Sequence, residues 1–175
     1  MKAFESIETS RTVIRRLMVT DKEKLIALLG NTNITANMAF PDEMKTAEGA
    51  ANLLKITIAS YGTESPLLAY AIQDKNNSRF LGATGLNPMK NKEIEIFYAL
   101  LPENWNKGLA TEVMDGLTEF ILNDGTYQVV LAFITQNNKA SMRVAEKNGF
   151  SNYGLVTNQN FKDLVFLYKK ERNPS

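Results

Sequence analysis

The chain has no cysteine and no histidine among its 175 residues. The first absence removes disulfides, thiolate nucleophiles and cysteine-based metal sites. The second removes the commonest general base, every Ser-His-Asp arrangement and the usual zinc sites, so no metal is expected. Chemistry then falls to carboxylates, hydroxyls, lysines and backbone groups. No run of eighteen apolar residues occurs, and the first eleven residues lack an apolar core of signal-peptide length. A soluble, cytoplasmic protein without a membrane partner is therefore expected. Twenty basic residues balance nineteen acidic ones with no Lys/Arg run, which gives no support for a nucleic-acid partner.

What is present suffices for a core. Hydrophobic residues make up 44% of a length suited to one domain, taken as residues 1–175. The organising stretch is 93–121. Ile94, Ile96, Tyr98 and Leu100 alternate with Glu93, Glu95, Phe97 and Ala99, which is strand periodicity. Pro102 stops the ladder because it has no N–H to donate. Ala110, Val113, Met114, Leu117 and Ile121 then recur at helical spacing, opposite Glu112, Asp115 and Glu119. The turn between, 104–111, leaves amide groups unpaired at the positive end of a helix, a potential phosphate cradle. Gly108 would let a ligand approach the backbone there, and Ala110 is too small to block it. Plain turn chemistry is the commoner reason for a glycine in such a place.

Further strands are expected at 12–19, 67–73, 79–86 and 127–134, and a closing hairpin at 151–156 and 161–169. Leu25, Ile26, Leu28 and Leu29 carry a helix that Gly30 ends. Thr46 caps the next helix, with Ala47, Ala51, Leu54, Ile58 and Tyr61 as its buried stripe. Residues 139–148 form the last helix, and 31–45 form a loop with a helical turn or two. The order β-α-α-β-β-β-α-β-α-β-β gives an α/β (α+β) fold, with a mixed sheet and helices on both faces.

Four blocks carry a family likeness. Ile7-Glu8-Thr9-Ser10-Arg11 with Arg15 resembles L-x-T-x-R-L-x-L-R, and Leu81-Gly82-Ala83-Thr84-Gly85-Leu86 resembles I-G-x-x-G-L. Residues 95–102 and 105–112 resemble E-I-G-Y-x-L-x-P-x-x-W-G-K-G-Y-A-T-E, and 138–150 resemble N-x-x-S-x-R-V-x-E-K-x-G-F. In this order the blocks are similar to the GNAT superfamily of acetyl-CoA-dependent N-acetyltransferases, in its RimJ/RimL branch of ribosomal-protein N-terminal acetyltransferases. The resemblance implies a mostly antiparallel mixed sheet. It also implies an acyltransferase that moves an acetyl group from acetyl-CoA to a primary amine by direct attack on the thioester. The acceptor could be a protein N-terminus, a polyamine or a small-molecule amine, and a homodimer stays open.

The resemblance also places the site. The amides of Asn106, Lys107, Gly108, Leu109, Ala110 and Thr111 would hold the pyrophosphate. The pantetheine arm would pair with backbone around Ala99, Leu100 and Leu101, in a gap where that strand splays from 127–134. Asn138 would hydrogen-bond the arm, and Ser141 would lie near the sulfur or the cofactor's phosphates. Backbone donors from Phe97 to Ala99 would face the developing oxyanion. Glu95 is the candidate proton acceptor; the competing reading leaves it on a solvated sheet face.

Three residues depart from the branch pattern. Asn106 and Phe97 stand where it has glycine, and Ala145 where many members have a tyrosine proposed as general acid. That role would pass to Ser141, another tyrosine or water. The departures keep a second reading open, a catalytically weak acyl-CoA-binding or partner-binding module. Trp105 is expected to pack under the turn, the seven methionines to fill core, and Arg11, Arg15 and Arg16 to form ion pairs.

Overall fold

The computed structural model describes residues 1–172, and its strand pairing begins with a short hairpin. β1 (Ser6–Glu8) lies against β2 (Thr12–Arg16), and β2 is shorter than the expected 12–19. Helices α1 (Lys22–Gly30), α2 (Thr32–Thr35) and α3 (Ala47–Ser60) follow. β3 (Leu68–Asp74), β4 (Phe80–Pro88) and β5 (Glu93–Leu100) then form an antiparallel meander. α4 (Leu109–Asp124), β6 (Val129–Thr135) and α5 (Lys139–Lys147) come next, before the hairpin of β7 (Ser151–Val156) and β8 (Val165–Glu171). The mixed sheet has the order β1-β2-β3-β4-β5-β6-β8-β7. β1 was not expected: three residues are too few to show alternation.

Alternation sorts the sheet into two faces. Ile94, Ile96 and Leu100 of β5 join Val113, Met114, Leu117 and Ile121 of α4 in one core, which also takes Met142 and Ala145 of α5. Ala99 and the following Leu101 join Leu25, Leu28, Leu54 and Phe80 in the other, under α1–α3. Helices thus cover both faces.

Thr46 caps α3 by accepting from the Gly49 amide at 3.0 Å. The helix is rotated from the expected stripe: Ala50, Leu54, Thr57 and Tyr61 are buried, whereas Ala47 is exposed. The helix start is packed closely at Gly49, where a Cβ would lie 1.8 Å from the Glu43 carbonyl oxygen. The three arginines do form ion pairs: Arg11 with Glu112, Arg15 with Asp21 and Arg16 with Glu5. Among the methionines, Met114 and Met142 fill core, but Met18 and Met89 are exposed.

One joint in the sheet differs from the rest. β5 and β6 run parallel and pair only through Glu93, Ile94 and Glu95 with Val129, Val130 and Leu131. Beyond them the two strands separate.

Candidate active site

The separation of β5 from β6 opens a cleft of about 830 Å³. It runs from the turn before α4, between the strands, to the 31–45 loop and the tip of the β7–β8 hairpin.

At the turn, none of the amides of Asn106, Lys107, Gly108, Leu109, Ala110 and Thr111 donates to another described residue. Asn106 (φ 58°) and Gly108 (φ 75°) are both left-handed, and such alternation makes successive amides converge. With α4 beginning at Leu109, the helix dipole adds to this donor set, which suits a pyrophosphate. The left-handed φ at 106 falls to asparagine, the side chain that bears it best after glycine. Arg11 holds the turn from outside, its Nη1 donating to the Lys107 carbonyl at 2.9 Å.

The strand end is half committed. Leu101 donates to the Leu81 carbonyl at 2.9 Å, and Thr84 Oγ1 donates to the Phe97 carbonyl at 2.6 Å. Odd-numbered backbone groups therefore face β4, Ala99 included, and those of Ile96, Tyr98 and Leu100 face the gap. Of the three residues expected to pair with pantetheine, Leu100 is the one turned toward it. Its carbonyl already accepts from Trp105 Nε1 at 2.7 Å. Trp105 is thus not packed beneath the turn; it is 42% exposed and lines the cleft. Between Phe97 and Ala99, the Tyr98 amide is the group aimed into the gap.

Glu95 is half-buried in the cleft wall. Burial pushes its carboxyl above the ordinary carboxylate value, against the opposing hydrogen bond from Asn87 Nδ2 to Oε2 at 3.0 Å. From the opposite sheet face, Tyr98 donates its hydroxyl to Ser141 Oγ at 3.2 Å. Burial pushes that phenol up as well, so it stays protonated at neutral pH. Asn138 is partly engaged, its Oδ1 capping α5 by accepting from the Ser141 amide at 3.1 Å. Ala145 lies fully buried in the core.

Several lining residues were not singled out from sequence. Tyr98 sits inside a quoted motif, and Arg143 and Lys147 follow Lys139 at four-residue spacing on α5, so the signal for each was present. Asn37 carried no signal. Its Oδ1 accepts from Thr135 Oγ1 at 2.6 Å, which ties the loop after α2 to the end of β6.

The family model described as "Acetyltransferase (GNAT) domain" matches residues 11–151. The chain belongs to this family. It is an acetyl-CoA-dependent acyltransferase, as the four blocks implied. Two proteins of Bacillus subtilis (strain 168) are similar to it. "Uncharacterized N-acetyltransferase YoaA" is 25% identical over 155 residues, covering 87% of this chain and 86% of its own. "Uncharacterized protein YkkB" is 29% identical over 178 residues, covering 99% and 100%. The fold matches that of RimL, the ribosomal L7/L12 alpha-N-protein acetyltransferase, in complex with coenzyme A. That match has a TM-score of 0.76 at 17% identity and covers 95% of this chain and 98% of that one. Among the described residues, no helix is long and apolar enough to cross a membrane.

Proposed function

We propose that the protein N-acetylates a primary amine by direct attack on the thioester, with Glu95 receiving the amine proton and Ser141 protonating the leaving sulfur. The carrying observation is the position of Glu95: a half-buried carboxylate on the cleft wall, at the last residue pair before β5 and β6 part. Residues 1–175 are read as one catalytic unit working in the cytoplasm.

The amides of 106–111 hold the pyrophosphate, with Lys107, Arg143 and Lys147 adding positive charge. The gap-facing backbone of Leu100 and the Nδ2 of Asn138, which has no partner among the described residues, hold the pantetheine arm. Acetyl-CoA supplies the thioester carbonyl and a thiolate leaving group. Glu95 takes up the proton as the C–N bond forms and the C–S bond breaks. Its raised pKa makes it a better proton acceptor than a solvated glutamate. An α-amine with pKa near ~8 arrives partly neutral, whereas an alkylamine of the lysine type, near ~10, must give up its proton in the cleft before it can attack. Ser141 gives its hydroxyl proton to sulfur and is resupplied through Tyr98, whose hydroxyl donates to it. The Tyr98 amide faces the developing oxyanion.

Replacing Glu95 by Gln tests the assignment. Turnover falls by about a hundredfold, within the usual range for losing a general base, while acetyl-CoA affinity stays within about twofold because Glu95 is remote from the cradle turn. Unchanged turnover would remove Glu95 from the chemistry. Saturating acetyl-CoA should raise stability by about 2.7 kcal/mol at a hundred times its Kd.

A further inference from the structure

The cleft wall around Glu95 is lined with rings. Phe97 of β5, Phe40 from the loop after α2, Phe133 of β6 and Phe161 from the hairpin tip all border it. Phe40 and Phe97 meet edge to face, with centroids 5.8 Å apart and planes at 82°. Phe97 is seated over Gly85, where a Cβ would lie 2.2 Å from its Cζ. The polar groups on this wall are carboxamides: Asn33, Asn37, Asn87 and Asn160. Among the described residues lining the cleft, Glu95 is the one carboxylate. The lining cations, Lys107, Arg143 and Lys147, belong to the cradle turn and α5, which packs on the opposite sheet face.

From this arrangement we infer that the acceptor is a monoamine on an apolar, ring-bearing body: an arylalkylamine with no carboxylate and no second cation. The inference rests on the N-acetyltransferase reading and names its substrate class.

Charge and desolvation lead to it. A polyamine would bring a second ammonium into the cleft, where no second carboxylate meets it, and an unpaired desolvated charge is strongly unfavourable. An amino acid would place its own carboxylate beside Glu95, with Arg143 and Lys147 on the helix across the sheet and Lys107 at the turn before α4. An aromatic ring, by contrast, finds ring edges and faces already set at the angle that aromatic pairs favour. The carboxamides can satisfy one hydroxyl or none, because each both donates and accepts.

The test compares 2-phenylethylamine, L-phenylalanine, spermidine and a serine-initiated tripeptide as acceptors, measured by coenzyme A release. Binding of each amine to the protein saturated with coenzyme A is followed by calorimetry. The expected result is a kcat/KM for 2-phenylethylamine at least about tenfold above the other three, with the same ranking in binding: the worth of burying one ring against spermidine and the tripeptide, and of keeping a second carboxylate away from Glu95 against phenylalanine. Phe161 lies outside both hydrophobic clusters, so Phe161→Ala leaves the fold intact. It should raise KM for 2-phenylethylamine severalfold without moving KM for acetyl-CoA or the Tm. Equal or better turnover of spermidine, phenylalanine or the tripeptide overturns the inference and leaves the transferase standing. So does an unmoved KM in both Phe161→Ala and Phe97→Ala, or acetylation of none of the four when acetyl-CoA raises the Tm. No Tm shift with acetyl-CoA would overturn both readings.

Discussion

Arg11 and Glu112, 101 residues apart in sequence, meet at 2.6 Å through Nε and Oε2. The other carboxylate oxygen accepts from the Arg11 amide at 2.6 Å and from Thr9 Oγ1 at 2.5 Å. The same guanidinium reaches the Lys107 carbonyl. One carboxylate in the first turn of α4 therefore fastens the N-terminal hairpin to the turn proposed to hold the pyrophosphate. Two of the four family blocks are, in space, one contact.

Glu112→Gln should lower stability by about 2 kcal/mol, the scale for hydrogen bonds to a charged group, and weaken acetyl-CoA binding. Burial pushes the Glu112 carboxyl up, yet the bonds from Thr9 and Arg11 and the Arg11 charge outweigh it and hold it below the ordinary 4.5. A folded pKa below the unfolded one means the contribution is complete above the unfolded value and is lost as pH falls through the folded one. The stability gap between wild type and Glu112→Gln should narrow as the pH is taken down through and below the ordinary carboxylate range. Denaturant titrations at each pH check this, and a constant gap contradicts it.

Asn106 sits at φ 58°. Asn106→Ala should cost about 1 kcal/mol and loosen acetyl-CoA binding, because alanine strains that backbone. Asn106→Gly should keep both at wild-type level. Thermal unfolding with and without acetyl-CoA separates the two, and equal losses would show that the side chain, not the backbone, matters.

Asn87 pulls the Glu95 pKa downward against burial. If Glu95 must be ionised to accept a proton, activity falls as pH drops through its pKa. Asn87→Ala removes the opposing bond, so the acid limb of the kcat/KM profile should move to higher pH. A limb that stays in place assigns it to another group.

Gly85→Ala should destabilise by about 1–3 kcal/mol, as overpacking does, because the new methyl meets the Phe97 ring. Phe97→Ala in the same chain should recover most of the loss. A four-way comparison by chemical denaturation measures the coupling, and purely additive losses would place the strain elsewhere.

The central strand and helix were legible because their periodicities change abruptly at Pro102, and the free amides before α4 because a helix start leaves them without partners. The splay of β5 from β6 came from the family likeness, since no local pattern encodes where two strands part. Two features escaped for physical reasons. Trp105 reads as a core residue, yet its N–H had to find the Leu100 carbonyl, and that held the ring in the cleft. The α3 stripe was right at Leu54, Ile58 and Tyr61 but put Ala47 inside, where the structure buries Ala50 and Thr57; a threonine on the buried face is not a residue that apolar spacing can report. The acceptor wall draws Phe40, Phe97, Phe133 and Phe161 from separate elements, so no motif contains it.

The brief pairing of β5 with β6 makes the sheet two plates hinged at one corner. β1–β5 form one continuous antiparallel ladder and β6–β8 another, and three residue pairs join them. Beside the seam, side chains of α4 and α5 share one core with residues of both plates. A cofactor lying along the seam bridges both plates and stiffens the hinge. Its binding should therefore be felt as slower amide exchange far from the thioester, through β6 and β8, as the two plates begin to breathe as one.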